Sequence, residues 1–196
     1  MITIINTGGA NLASVSNALD RLGRTWTLTR DADTIRSAER VILPGVGAAR
    51  DSMDRLQEAG LIDVIRNLTQ PTMGICLGMQ LLFERSEEGD TECLGIIPGT
   101  VRRMESRPGL RIPHMGWNAI SPRSGDEVLF AGIAEHSHFY FVHSYAAPMG
   151  DWVCATVDHG NALPAAVRRG NFYGCQFHPE RSALAGAEVL KNFLRI

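Results

Sequence analysis

Short apolar runs alternate with segments of helical spacing over the first 90 residues, and this alternation constrains the fold more than any other feature. Four segments predict strands: the apolar runs I-T-I-I (2–5), R-V-I-L-P-G-V-G (40–47) and T-M-G-I-C-L-G (72–78), and the alternating T-W-T-L-T-R (25–30). With the segments between and after them, the order reads β-α-β-α-β-α-β-α. Strands that alternate with helices favour an α/β fold, with a mostly parallel central sheet covered by helices on both faces.

Helical spacing of apolar residues predicts the helix boundaries. One helix contains Leu12, Val15, Leu19 and Leu22 and stops at Gly23. Another follows the third strand as far as Asn67, with an interruption near Gly60, and a further one runs from Met79 to Glu84. A final helix begins near Ser182, with Leu184, Ala187, Leu190 and Leu194 on one face and Lys191 and Arg195 on the other.

The second half of the chain is richer in short β-type segments. Pieces such as H-F-Y-F-V-H (138–143), D-W-V-C-A-T-V-D (151–158) and L-P-A-A-V-R-R (163–169) are separated by Gly, Pro and Asp, which predicts antiparallel strands and hairpins. No repeat, low-complexity segment or linker divides the 196 residues. We therefore expect one domain, 1–196, with an antiparallel extension in its second half.

Composition and charge argue against several classes of function. A net charge of −2 with no long run of one sign argues against a nucleic-acid or anionic-membrane surface. No stretch approaches the ~20 apolar residues of a membrane span, and M-I-T-I-I-N-T-G-G has no basic leader. The four cysteines, at positions 76, 93, 154 and 175, fit no zinc or disulfide spacing. These features predict a cytoplasmic protein with reduced thiols.

Neither a metal nor an organic cofactor is expected. No cysteine–histidine cluster has the spacing of metal ligands. The segment N-T-G-G-A-N (6–11) follows the first strand but lacks the full G-x-G-x-x-G fingerprint of a dinucleotide site. Its glycines predict a tight turn instead.

Cys76 lies in G-I-C-L-G, at the junction of a predicted strand and a predicted helix. The pattern has the physical content of the G-x-S-x-G nucleophile elbow, in which flanking glycines let the neighbouring backbone come close to a strained residue. The N-terminus of the following helix would favour a thiolate and a nearby oxyanion. On this pattern alone, an ordinary buried cysteine is an equally good interpretation. The other three cysteines are predicted to be ordinary buried residues.

A thiol nucleophile needs a base, and His178 and Glu180 supply an H-x-E pair in F-H-P-E. In an extended segment, which Pro179 would maintain, residues two apart project to one side. A carboxylate beside an imidazole fixes its tautomer and raises its basicity. Alone, the pair fits a solvated loop histidine beside a surface glutamate equally well. Three other histidines lie in polar loops and are predicted to be surface residues: His136, His138 and His159.

The combination of an elbow cysteine, a β-rich stretch and H-P-E before a terminal helix resembles the class I, triad-type glutamine amidotransferases. Further motifs are similar to the glutaminase subunits of imidazole glycerol phosphate synthase, an enzyme of histidine biosynthesis: P-G-V-G (44–47), G-I-C-L-G-M-Q-L-L-F-E-R-S-E-E-G (74–89), L-G-I-I-P-G (94–99), P-H-M-G-W-N (113–118), Y-F-V-H-S-Y (140–145) and N-F-Y-G-C-Q-F-H-P-E-R-S (171–182). The resemblance covers essentially the whole chain. It implies the class I glutamine amidotransferase fold in one glutaminase domain, 1–196.

The resemblance implies a catalytic triad of Cys76, His178 and Glu180. Cys76 would attack the side-chain amide of glutamine, and His178, oriented by Glu180, would move the protons before water hydrolyses the thioester. The N–H of Leu77 and an N–H at Val46 or Gly47 would bind the oxyanion. The substrate would contact four further residues: Gln80, Glu88, Ser144 and Tyr145. A helix-surface amide, a solvated acid and a core aromatic are the structural alternatives for Gln80, Glu88 and Tyr145.

The resemblance also implies a partner: a cyclase with a (β/α)8 barrel, in a heterodimer that passes ammonia to the cyclase. P-H-M-G-W-N would supply the interface through His114, Met115, Trp117 and Asn118, because Trp and Met are enriched at protein contacts. A buried loop anchor is the alternative. Val46 is β-branched and would resist reorientation of the oxyanion turn, so we expect little activity without the partner and its ligand.

Three other functions remain compatible with the sequence. The chain could serve another synthase, such as anthranilate or aminodeoxychorismate synthase, although P-H-M-G-W-N and P-G-V-G count against this. It could be a non-catalytic scaffold, which has no use for Cys76, His178 and Glu180. It could be a cysteine hydrolase of γ-glutamyl peptides, which would work without a partner.

Overall fold

A computed structural model describes residues 1–8, 11–123 and 128–196. The helices are α1 (Leu12–Arg21), α2 (Ala32–Arg36), α3 (Ala49–Glu58), α4 (Ile62–Arg66), α5 (Leu77–Gln80) and α6 (Ala183–Phe193), with a 3₁₀ turn at Pro179–Arg181 before α6. The strands are β1 (Ile2–Ile5), β2 (Trp26–Thr29), β3 (Arg40–Gly45), β4 (Thr72–Cys76), β5 (Phe83–Ser86), β6 (Thr91–Glu92), β7 (Ile97–Arg103), β8 (His114–Pro122), β9 (His138–His143), β10 (Tyr145–Ala146), β11 (Val153–Asp158), β12 (Ala162–Arg169) and β13 (Phe172–Cys175).

A nine-stranded sheet in the order β2-β1-β3-β4-β13-β12-β11-β8-β9 organises the domain. The strands from β2 to β13 pair in parallel, and those from β13 to β9 pair antiparallel. A four-stranded sheet, β10-β7-β5-β6, lies beside it. The predicted α/β class, with a parallel first half and an antiparallel extension, is therefore confirmed.

Helices cover both faces of the parallel strands, as predicted. On one face, Val15 and Leu19 of α1 and Val189 and Phe193 of α6 pack with the sheet residues Ile4, Ile42 and Ile75. The other face is covered by α2, α3 and α4. Their residues Ile35, Leu56 and Ile65 pack with Ile5, Val41 and Leu43 of the sheet. Successive strand residues point to opposite faces, so a strand buried on both faces needs a continuous apolar run.

The helix predicted to start over Met79 to Glu84 is confirmed only as far as Gln80 and is wrong beyond it. Helix α5 is a single turn that ends at Gln80, and Phe83–Ser86 forms strand β5. Strand β5 pairs in parallel with β7 and antiparallel with β6, and Phe83 is fully buried. Strand pairing and burial override the local helical spacing of this segment.

The face predicted for α6 is confirmed at Leu190, which is buried, but it is wrong at Leu184. Leu184 is 89% exposed, whereas Gly186, Val189, Leu190 and Phe193 face the core. A Cβ on Gly186 would overlap the carbonyl oxygen of Pro179, so the helix rests closely on the 3₁₀ turn at this glycine. That close contact sets the rotation of the helix and turns Leu184 outward.

The tight turn predicted in N-T-G-G-A-N is described only in part. Gly8 has φ +72, while residues 9 and 10 lie outside the described residues, so the turn stays a prediction there. Within the described ranges, none of the helices has the length and apolar character needed to cross a membrane.

Candidate active site

Cys76 ends strand β4 in the strained conformation that its sequence pattern predicts. Its backbone has φ 55 and ψ −110, a region that non-glycine residues rarely adopt. The flanking glycines permit the turn, because a Cβ on Gly78 would overlap the Leu43 carbonyl and a Cβ on Gly74 would overlap the backbone of Gly78. Strained residues of this kind cluster at functional sites.

The helix behind Cys76 is shorter than its sequence predicts. Helix α5 has four residues, so its dipole comes from one turn and contributes little by itself. Electrostatic support for the sulfur must therefore come mainly from nearby side chains and from individual N–H groups.

His178 and Glu180 form a buried pair next to this elbow. His178 Nδ1 lies 2.7 Å from Glu180 Oε1, and both side chains are almost fully buried. The pairing holds although the predicted extended backbone is wrong, because Pro179 begins a 3₁₀ turn. The turn brings the carboxylate back to the imidazole, and Glu180 is not the solvated surface residue that the sequence alone allowed.

The environment of His178 favours its protonated form. Burial lowers the pKa of His178, but hydrogen bonds to Cys76 and Glu180 and the negative charges of these groups outweigh burial and raise the pKa to about 10. An imidazolium beside the Cys76 sulfur stabilises negative charge there. The site therefore suits a thiolate–imidazolium pair.

Asn11 is a site residue that sequence reasoning missed. Its Nδ2 donates to Glu180 Oε1 at 2.8 Å and lies 3.4 Å from His178 Nδ1. This amide orients the carboxylate that orients the imidazole. Asn11 carries no local signal of this role, because 169 residues separate it from Glu180.

A cavity of about 380 Å³ opens at Cys76 and His178. Its lining includes seven of the other predicted site residues: Val46, Gly47, Leu77, Gln80, Glu88, Ser144 and Tyr145. His143 and Val142 of β9 complete one wall, and the Val142 carbonyl oxygen is 3.9 Å from Cys76 Sγ. The structure thus brings Cys76, His178 and the predicted oxyanion and substrate-binding residues into one pocket, with Glu180 buried behind His178.

The P-G-V-G turn lies beside Cys76 because β3 and β4 pair in parallel, with Gly45 opposite Cys76. A Cβ on Gly45 would come within 2.7 Å of the Gly78 backbone nitrogen, so the two turns are in close contact. Gly47 has φ +98, a left-handed conformation that favours glycine. Val46 and Gly47 therefore face the same pocket as Leu77.

Gln80 is held by two acceptors. Its Nε2 donates to the Tyr145 carbonyl at 3.0 Å and to Gln176 Oε1 at 2.9 Å. Gln176, also missed from the sequence, is fully buried and directs its own Nε2 toward Cys76 Sγ at 3.9 Å. Glu88 Oε2 accepts from the Ala49 N–H at 2.8 Å, so one of its oxygens caps α3.

The predicted interface segment divides into exposed and buried residues. Met115 is 66% exposed and Trp117 is 52% exposed, whereas His114 is buried and Asn118 is partly buried. The prediction of His114 as a surface contact is wrong, because β8 alternates and His114 points inward. Its Nδ1 lies 3.0 Å from His143 Nε2.

His159 is likewise less exposed than predicted. Its ring stacks on His114 with centroids 4.1 Å apart, and its Nε2 lies 2.9 Å from the Arg111 carbonyl oxygen. His136 and His138 are exposed, and Cys93, Cys154 and Cys175 are buried cysteines that form no disulfide, as predicted. Among the described residues, no three His, Cys, Asp or Glu side chains group in a way that could hold a metal ion.

Comparisons with known proteins show the family to which the chain belongs. Residues 3–196 match the model of the family "Glutamine amidotransferase class-I". The imidazole glycerol phosphate synthase subunit HisH of Xanthomonas axonopodis pv. citri is 54% identical, over 100% of this chain and 97% of that protein. The HisH subunit of Xylella fastidiosa strain Temecula1 is 51% identical, with the same shares of each chain covered.

Solved structures give the same fold. A crystal structure of a glutamine amidotransferase superposes with a TM-score of 0.76 at 20% identity, over 99% of this chain and 97% of that chain. A chain in the structure of PurLQS from Thermotoga maritima has a TM-score of 0.72 at 18% identity, over 99% and 97% of the two chains. At these identities the likeness concerns the fold.

Proposed function

The chain belongs to the class-I glutamine amidotransferase family, among the HisH subunits of imidazole glycerol phosphate synthase, and from this premise we propose how its residues release ammonia from glutamine. The observation that carries the proposal is the strained Cys76 beside the buried His178–Glu180 pair, at the mouth of one pocket. As an enzyme subunit of histidine biosynthesis, the chain hydrolyses glutamine to glutamate and ammonia.

The thiolate of Cys76 attacks the side-chain carbonyl carbon of glutamine and forms a tetrahedral oxyanion. The C–N bond then breaks, and the nitrogen leaves as ammonia with the proton of the His178 imidazolium. A water molecule gives its proton to the now neutral His178 and attacks the thioester. The C–S bond breaks, which yields glutamate and restores the thiolate–imidazolium pair. Glu180 holds His178 in the tautomer that both proton transfers need.

The oxyanion accepts hydrogen bonds from the N–H of Leu77 and from an N–H at Val46 or Gly47. The position of these residues around the pocket supports this assignment. Each such donor accounts for roughly 10²–10³ in kcat in comparable enzymes. Val46 restrains the turn, so the full set of donors forms only when the partner and its nucleotide ligand are bound.

Gln80, Ser144 and Tyr145 bind the amino-acid part of glutamine. The contact between the Gln80 amide and the Tyr145 carbonyl supports a shared subsite. Glu88 binds the α-amino group through the oxygen that does not cap α3.

The partner is the cyclase of the synthase, which has a (β/α)8 barrel, and in the heterodimer it docks on Met115 and Trp117. The pairing of β8 with β9 supports this face, because Met115 lies opposite Val142 and Trp117 lies opposite Tyr140. Both β9 residues contact the site: the Val142 carbonyl faces Cys76, and the Tyr140 carbonyl accepts from the His178 N–H at 2.9 Å. Docking on β8 thus acts on the strand that lines the pocket.

The ammonia passes to the cyclase, which converts a phosphoribulosyl aminoimidazole carboxamide nucleotide (PRFAR) to imidazole glycerol phosphate and an aminoimidazole carboxamide ribonucleotide. The relatives from Xanthomonas and Xylella are imidazole glycerol phosphate synthase subunits, which sets aside a role with anthranilate or aminodeoxychorismate synthase. The whole of 1–196 acts as one glutaminase domain.

Glutamate release from glutamine tests the proposal. The purified chain is assayed alone, with the cyclase, and with the cyclase plus PRFAR, and Cys76→Ala is assayed in parallel. We expect turnover that requires both partner and PRFAR and disappears in Cys76→Ala. High turnover by the chain alone would contradict partner gating and favour an independent hydrolase. Turnover that survives in Cys76→Ala would refute the nucleophile.

A further inference from the structure

A row of hydrogen bonds runs from strand β8 to the pocket through two buried histidines. Asn118 Nδ2 lies 3.5 Å from His114 Nε2, and His114 Nδ1 lies 3.0 Å from His143 Nε2. His143 Nδ1 in turn lies 2.8 Å from the Tyr145 carbonyl oxygen. We call Asn118, His114, His143 and the Tyr145 carbonyl the histidine relay. None of the catalytic steps uses it.

The hydrogen-bond partners fix both tautomers. A carbonyl oxygen only accepts, so His143 Nδ1 carries a proton toward Tyr145, and the bare Nε2 of neutral His143 accepts. His114 must then donate from Nδ1, which leaves its own Nε2 as the acceptor for Asn118. Asn118 is oriented independently, because its Nδ2 also donates to the Asp158 carbonyl at 2.8 Å. Every link therefore has one donor and one acceptor.

Both imidazoles are held neutral, which this pattern requires. Burial, and to a lesser extent the charge of His159, lowers the pKa of His114 to about 4. His114 is sandwiched between the rings of Phe141, at 4.7 Å, and His159, at 4.1 Å. Burial also lowers the pKa of His143 to about 3, although the Tyr145 carbonyl opposes this shift.

We propose that His143 and His114 are positioning residues for glutamine binding: His143 holds the Tyr145 carbonyl, and with it the Gln80 amide, in place, and His114 ties both to strand β8. The carbonyl of Tyr145 accepts from two side chains, His143 Nδ1 and Gln80 Nε2. A carbonyl has two lone pairs, so these two donors together fix its position. Loss of the His143 donor frees the carbonyl to move and so loosens one of the two acceptors that hold the Gln80 amide.

The histidine relay also connects the exposed face of β8 to the pocket. His114 pairs directly opposite His143 across the two strands, and Met115 and Trp117 follow on the same strand. A shift of β8 on docking is thereby transmitted to the Tyr145 carbonyl through hydrogen bonds. This inference rests on the proposed function, since it concerns the substrate of the same site.

Two substitutions at position 143 test the proposal in the complex of the chain with the cyclase and PRFAR. His143→Asn keeps an amide donor near the place of Nδ1, and His143→Gln keeps a polar group near the place of Nε2 only. We expect KM for glutamine to rise roughly tenfold in His143→Gln, as for one lost hydrogen bond of about 1.4 kcal/mol, with kcat changed less than threefold. In His143→Asn, KM should stay within about twofold of the wild type.

His114→Phe provides a second variant, because it keeps the ring stack with Phe141 and His159 and removes both the donor to His143 and the weaker acceptor for Asn118. A KM increase of roughly threefold is expected here, with little change in kcat. Equal KM values in His143→Gln, His143→Asn and His114→Phe, or a fall in kcat with KM unchanged, would overturn the proposal. Turnover of the wild type in the same assay tests the proposed function separately. If the relay has no effect, KM is unchanged in the variants; if the glutaminase assignment fails, the wild type itself shows no turnover.

Discussion

Two buried histidines line the same pocket in opposite charge states. Both His178 and His143 are less than a tenth exposed and lie on the wall around Cys76. The pKa of His178 is raised to about 10, whereas that of His143 is lowered to about 3. The protein thus keeps one imidazolium and one neutral imidazole in the same cavity.

The difference comes from hydrogen-bond partners and not from burial. Burial disfavours the charged form of both rings. His178 has two anionic partners, Cys76 and Glu180, which more than offset the loss of water. His143 meets a carbonyl and another neutral ring, and the carbonyl alone does not offset the effect of burial. A charged ring suits proton transfer, and a neutral ring with fixed donor and acceptor sides suits positioning.

Removal of the His178 imidazole should have the largest effect on kcat. In His178→Gln, the leaving ammonia loses its proton donor and the water its base. We expect kcat for glutamate release in the complex to fall by roughly 10³–10⁴-fold. His138→Gln, at an exposed histidine of β9, is the matched control and should retain wild-type kcat. A loss below about tenfold in His178→Gln would show that another group moves the protons.

Neutralisation of the Glu180 carboxylate should remove one of the two causes of the raised pKa of His178. In Glu180→Gln we expect kcat to fall by roughly 10²–10³-fold, because the imidazole loses its orienting charge. The alkaline limb of the kcat/KM profile, which reports deprotonation of His178 near pH 10 in the wild type, should move to lower pH. Glu188→Gln on the surface of α6 is the control, and an unmoved alkaline limb in Glu180→Gln would contradict this assignment.

His143 and His178 should make the free energy of unfolding depend on pH in opposite directions. The folded-state pKa of His143 is depressed, so the stability linked to it is complete above the unfolded pKa of about 6.5 and is lost as pH falls toward about 3. The pKa of His178 is raised, so its contribution is complete below about 6.5 and is lost as pH rises through about 10.

Denaturant titrations between about pH 6.5 and 5 check this contrast. We expect His143→Gln to reduce the acid slope of the unfolding free energy by up to about 1.4 kcal/mol per pH unit, because glutamine takes up no proton in either state. The same titrations of His178→Gln between about pH 7 and 9.5 should lack the alkaline loss of stability seen in the wild type. An unchanged acid slope in His143→Gln would mean that His143 is charged in the folded protein.

Loss of the Asn11 amide, which donates to Glu180, should have the smallest effect on kcat of the three active-site substitutions. In Asn11→Ala the carboxylate keeps its charge and loses one donor, so we expect kcat to fall by about tenfold or less. Asn67→Ala, which removes an exposed amide at the end of α4, is the control. A loss as large as that of Glu180→Gln would show that Asn11 contributes more than orientation.

The sequence reveals the groups that local patterns encode. Cys76 is marked by its two glycines, and His178 and Glu180 are two residues apart, so their proximity needs little tertiary information. The parallel first half follows from runs of apolar residues that only a strand covered on both faces would bury. In each case the signal lies within a few consecutive residues.

Residues whose roles depend on tertiary contacts could not be found in this way. Asn11 and Gln176 reach the site from positions 169 and 100 residues distant from their partners Glu180 and Cys76. The inward orientation of His114 depends on its pairing with His143 across β8 and β9. Likewise, β5 and the rotation of α6 are set by contacts with β7 and with Pro179, which local spacing does not contain.

Nitrogen-15 NMR of the histidine side chains, recorded from about pH 5 to 10 and assigned with His143→Gln and His178→Gln, tests the central claim most directly. We expect His178 to be an imidazolium from about pH 5 to beyond pH 8 and to lose its proton toward pH 10. His143 should be neutral throughout, with its proton on Nδ1. A neutral His178 at about pH 7, or a His143 that titrates near its ordinary value of about 6.5 or carries its proton on Nε2, would contradict the account.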